Sequence, residues 1–87
     1  MNDIVNLLVR EGYQYSKRGT LENKCPTYVM NYNGIRNWVI ITVDTVRMYS
    51  IPEGTDGETT VADTGVLTSP SVSLIQGVIN NIKKEIE

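Results

Sequence analysis

The dipeptide Asn33-Gly34 limits what this chain can fold into more than any other part of it. It separates two runs rich in β-branched and aromatic residues, 27–32 and 35–43. Asn and Gly are the residues that best tolerate the positive φ angles of a type I′ turn, and that turn's twist matches the twist of two antiparallel strands. A hairpin with a two-residue turn has a set register. Tyr32 is therefore expected opposite Ile35, Met30 opposite Asn37, Val29 opposite Trp38 and Tyr28 opposite Val39. An antiparallel sheet results, and the remaining elements must be placed around it.

Residues 4–9 carry Ile4, Leu7 and Leu8 at helical spacing, with Asn2 or Asp3 able to cap the start and Gly12 the end. A change of period at Tyr13, Tyr15 and Lys17 predicts a first strand, and a polar connection then runs to Cys25-Pro26. The second hairpin is expected to turn at Asp44-Thr45, which puts Ile40 opposite Tyr49 and Val43 on the same face as Val46 and Met48. A fourth strand runs over 46–51 and stops at Pro52. Residues 53–60 form a polar, glycine-containing loop, and 61–67 form a fifth strand weakened by Gly65. Ser69-Pro70 announces a final helix with the stripe Ile75, Val78, Ile79, Ile82 and Ile86. Gly77 inside it is expected to allow a close approach to the sheet or another helix.

A chain of 87 residues supports one domain with one core, so residues 1–87 are read as a single domain. Its 40% apolar and 21% charged composition suits a globular fold. The fold class expected is α+β: an antiparallel sheet of four or five strands, with an N-terminal and a C-terminal helix on one face. No run is long enough to span a bilayer, and residues 4–9 lack the basic leader of a signal peptide. The lone cysteine excludes an internal disulfide and points to a reducing, cytoplasmic setting.

Face assignment then yields a candidate site. Tyr28, Met30, Tyr32, Val39, Ile41, Val43, Val46 and Met48 form the face expected under the helices. The other face carries Thr27, Val29 and Asn31, then Arg36, Trp38, Ile40 and Thr42, then Arg47, Tyr49 and Ile51. Four or five strands make a sheet roughly 15–20 Å wide, and two helices of ~10 Å diameter cover that width once. The second face is thus expected to be at least partly open, with Val29, Arg36, Trp38, Ile40, Arg47 and Tyr49 as its contact residues. Trp, Tyr and Arg dominate binding hot spots. The same residues allow three other fates for Trp38: burial under the 53–60 loop, burial by a helix on each face, or burial against a second copy of the chain.

Catalytic chemistry finds little to work with. The chain has no histidine, which removes the usual general base and the commonest transition-metal ligand. Cys25 has no evident activator, and catalysis by carboxylates such as Asp44 or Asp63 would require paired carboxylates in a pocket. Glu53, Asp56 and Glu58 form an acidic loop that clusters in sequence with Asp63, but the spacing does not match a calcium loop, so no metal or cofactor is expected. This loop could instead imitate nucleic-acid phosphates against a basic partner. The net charge of −2 disfavours a general nucleic-acid binder, although residues 1–52 hold six basic and four acidic side chains and 53–87 hold two and six. The leading expectation is a non-enzymatic protein-binding module, an inhibitor or adaptor, without a membrane segment. The alternative is an oligomeric protein binding a small anionic ligand or nucleotide, with Arg36 and Arg47 on the anion and the aromatics stacked on a ring.

Overall fold

The computed structural model describes residues 2–54 and 60–86, apart from the side chains of 21–23 and 86. In chain order the elements are α1 (Asn2–Arg10), β1 (Gln14–Tyr15), α2 (Lys17–Asn23), β2 (Thr27–Tyr32), β3 (Ile35–Ile41), β4 (Thr45–Pro52), β5 (Ala62–Thr68) and α3 (Val72–Ile86). The five strands form one antiparallel meander in sequential order. The chain is an α+β domain with a helix near each end, as the residue pattern predicts.

α1 ends where Gly12 adopts φ 98°. There the Tyr13 amide donates to the Leu8 carbonyl at 2.9 Å and the Gly12 amide to the Val9 carbonyl at 3.1 Å, a double closure that only a left-handed residue permits. Leu7 and Leu8 are buried, as are Ile75, Ile79 and Ile82 of α3, and all five join Val39, Ile41, Val46 and Met48 in one apolar cluster. Both terminal helices therefore cover the same face of the sheet. Glu11 ties them together, accepting from Gln76 Nε2 and Lys83 Nζ, each at 3.0 Å. One polar pair sits within this face. Ser50 Oγ donates to Asn37 Oδ1 at 2.6 Å, and Asn37 Nδ2 donates to the Met30 and Ile35 carbonyls at 3.2 and 3.4 Å. Asn37 can be buried because each of its polar atoms has a partner.

Several local expectations need correction. The first strand is only Gln14–Tyr15, and the next element is a third helix, α2. Ser16 is its N-cap, with Oγ accepting the Gly19 amide at 3.1 Å, and Lys24 closes it in the left-handed region at φ 58°. A capping serine thus outweighs the alternation of Tyr13, Tyr15 and Lys17. At the second hairpin the turn is Val43-Asp44, closed by the Thr42 amide donating to the Thr45 carbonyl at 2.9 Å and by a hydrogen bond between the two threonine hydroxyls. Trp38 consequently faces Tyr49 and Ile40 faces Arg47. This register differs by two residues from the expected one, so every side chain except Val43 keeps its face. Val43 is 95% exposed.

Ser69 does not cap α3. It has φ 46° and its amide donates to the Asp44 carbonyl at 2.6 Å, which ties the helix approach to the β3–β4 turn. Ser71 is the cap, its Oγ accepting from the Leu74 amide at 3.1 Å. Gly77 is exposed, and a Cβ there would meet nothing within 4 Å, so it accommodates no close approach. Gly65, at φ 67°, lies in a bulge where Thr64 and Gly65 oppose Met48 alone.

Candidate functional site

The second face, opposite α1 and α3, is covered by α2 at one corner. The closest approach is at Gly19: a Cβ there would lie 2.9 Å from both Thr27 Cγ2 and Trp38 Cζ3. Glycine is the residue that lets this helix touch the sheet. Thr27 is fully buried, and its amide donates to Thr20 Oγ1 at 3.1 Å while the Ser16 amide donates to the Thr27 carbonyl at 2.8 Å. These bonds fasten the N-cap and the middle of the short helix to β2. Two helices do not exhaust the covering material of this chain, since a third shields part of the face. The expected cover from the 53–60 loop falls largely outside the described residues.

Trp38, Val29 and Ile40 are each half-buried. Trp38 serves as the floor on which α2 rests, and hiding roughly 100 Å² of its indole is worth about 2–3 kcal/mol. Away from α2, the face continues over β4 and β5. Arg47 lies opposite Val66 and Tyr49 opposite Asp63, while Arg36 lies opposite Ile51. Arg47 grips Asp63 with two parallel bonds, Nε to Oδ1 at 3.2 Å and Nη2 to Oδ2 at 2.6 Å. Its guanidinium carbon stands 5.1 Å from the Tyr49 ring centroid, within cation–π range. The Gly65 amide also donates to Asp63 Oδ1 at 2.8 Å, so the bulge in β5 orients the carboxylate that orients the arginine.

This clasp sets the local electrostatics. The Arg47 hydrogen bonds, followed by the Gly65 amide, hold the Asp63 carboxyl below its ordinary value. Asp63 in turn pushes the Arg47 guanidinium further toward its charged form. Arg36 is less tightly held: Nε donates to Asn31 Oδ1 at 3.3 Å, and Nη2 is 4.0 Å from Glu53 Oε1.

The structure therefore places all six expected contact residues on one face but splits their roles. Val29, Trp38 and Ile40 lie toward the α2 corner, and Arg36, Arg47 and Tyr49 lie away from it; of the six, Arg47 is exposed and the others are half-buried. Of the acidic loop, Glu53 is exposed beside Arg36, whereas Asp56 and Glu58 lie outside the described residues. Asp44 and Asp63 are not brought together. Asp44 lies at the β3–β4 turn, beside the Thr68 end of β5, and Asp63 is near the other end of that strand. Among the described residues no three Cys, Asp or Glu side chains gather where a metal ion could be held, and no helix is long and apolar enough to cross a membrane.

Pattern reading of the sequence leaves two members of this surface unassigned, Asp63 and Val66. Strand alternation puts each of them on one face or the other, but their partners depend on register across the 53–60 loop and on the bulge at Gly65, and neither is set by local pattern. No protein-family model matches the chain, and neither a curated protein nor a solved structure is significantly similar to it.

Proposed function

We propose that this chain is a small non-enzymatic module that binds another protein, as a stoichiometric inhibitor or adaptor, through the part of the second face that α2 leaves open. Its contact residues are Arg36, Arg47, Tyr49 and Ile51, with Val66 at the margin and Trp38 as the packed floor beneath them. The observation that carries this reading is the Asp63–Arg47–Tyr49 clasp. A long cationic side chain at an exposed position is already held over an aromatic ring by a forked ion pair, so less side-chain freedom remains to be lost on docking. Arg and Tyr presented beside apolar neighbours have the composition of an interface centre.

The same clasp favours a protein over a small anion. A phosphate or carboxylate ligand would have to displace Asp63 from the forked donors of Arg47, and Arg36 already faces Glu53 and Asn31. A protein surface can contact the outer side of the Arg47–Tyr49 stack and leave the ion pair in place. Affinity measurements against a purified partner test the proposal. Tyr49→Ala and Arg36→Glu are each expected to weaken binding tenfold or more, while Leu74→Ser, on exposed α3, leaves it unchanged. Full binding by folded Tyr49→Ala and Arg36→Glu proteins would overturn it. Titration calorimetry with nucleotides is expected to give no heat.

A further inference from the structure

A second surface, at the β3–β4 turn on the α1 side of the sheet, has features that the function proposed above does not use. An apolar groove of about 570 Å³ runs between Val5 of α1 and Tyr28 and Ile41 of the sheet, with Lys24, Pro26 and Val43 also lining it. Val43 is 95% exposed and occupies a tight-turn position where Gly, Asn or Asp is usual. Directly beyond Val43 is a separate hollow of about 380 Å³ that Asp3 and Asp44 help to line. An apolar knob thus stands between an apolar hole with a cation at its side and a hollow with two carboxylates. Among the described residues neither Lys24 nor Asp44 makes a side-chain ion pair.

We infer that this end of the molecule binds a second copy of the chain, each Val43 entering the other copy's groove and each Asp44 meeting the other copy's Lys24. Two-fold pairing requires a surface complementary to itself, with residue i on j and j on i. A knob beside a hole, flanked by opposite charges in the matching order, meets that requirement. The paired surface lies on the α1 side of the sheet, so both Arg47–Tyr49 faces lie away from it. A dimer therefore presents two of them, and a partner with repeated sites would be held by both. The inference stands independently of what the second face binds.

The interface is centred on two apolar side chains, one from each copy, and two exposed charge pairs, which places it among small, reversible contacts. Sedimentation equilibrium of the whole chain is expected to show a mass rising from 9.7 kDa toward twice that value between roughly 10 µM and roughly 1 mM, and less so at high salt. Asp44→Lys and Lys24→Glu should each weaken self-association about tenfold, because like charges then face each other twice. An equimolar mixture of the two variants should associate again, since both contacts in the mixed pair join opposite charges. A wild-type mass that stays at one chain throughout, variants that associate like wild type, or a mixture that fails to recover would each overturn the inference. A groove that serves an apolar ligand instead would give the first of these results. Should either charge variant lose its fold by circular dichroism, Val43→Ser carries the test: weakened association is expected, and unchanged association overturns the inference.

Discussion

Gly19 and Gly77 both interrupt a helix, and adding one methyl group to each has opposite expected outcomes. At Gly19 the methyl would overlap Thr27 and Trp38, each 2.9 Å away, so Gly19→Ala must lift α2 from the sheet. A loss of about 1–3 kcal/mol in urea unfolding is expected, together with a red shift of Trp38 emission. At Gly77 the methyl enters open space, and Gly77→Ala should gain about 0.5–1 kcal/mol from helix propensity alone. The buried Asn37–Ser50 pair supplies another residue-scale test. Ser50→Ala leaves Asn37 Oδ1 without its donor in a dry site, and a cost of about 1–3 kcal/mol is expected in the same unfolding measurement. None of these three positions can be judged from the sequence. A glycine in a helical run reads the same whether it touches an indole or water, and the partner of a buried amide is set by register.

At the scale of elements, the Asn33-Gly34 hairpin is legible in full because its turn chemistry and its register are the same fact. The β3–β4 hairpin is legible only in its faces. Val43-Asp44 carries no glycine to mark the turn, so pattern alone misplaces the register by two residues. That even shift preserves the alternation that sorts side chains. α2 is not legible at all, since its short, mostly polar sequence carries no helical apolar stripe. Ser16 and Lys24 mark its ends only when their backbone angles are known.

Two element joints also have a pH signature. Gln76 and Lys83 hold the Glu11 carboxyl below its ordinary value, so the α1–α3 clasp contributes stability above the carboxylate range and loses it as pH falls through the lowered value. Burial pushes the Tyr13 hydroxyl up from 10.0 to about 12. Its contribution is complete below pH 10 and is lost as pH rises toward 12, a change on the order of 2 kcal/mol. Unfolding free energy measured across pH should fall on both limbs, with Glu11→Gln flattening the acid limb and Tyr13→Phe the alkaline one. Unaltered limbs in those variants would contradict the assigned causes.

For the whole molecule, the governing relation is between helices and sheet faces. Two helices pack on one face, and the third, too short to span the other, covers its Thr27 and Trp38 corner. Counting two helices leads to the expectation of an open second face; that count misses the extra helix, which lands over the tryptophan. Among the described residues, the part beyond α2 carries Arg47, held by Asp63 over the Tyr49 ring. The most direct test of its role is hydroxyl-radical footprinting of the chain alone and in complex with a purified partner. Protection of Tyr49 and Ile51 on binding, with Val72 and Leu74 of α3 labelled equally in both states, is the expected result. Equal labelling of Tyr49 and Ile51 in both states, with protection elsewhere, would contradict the assignment of the second face as the contact surface.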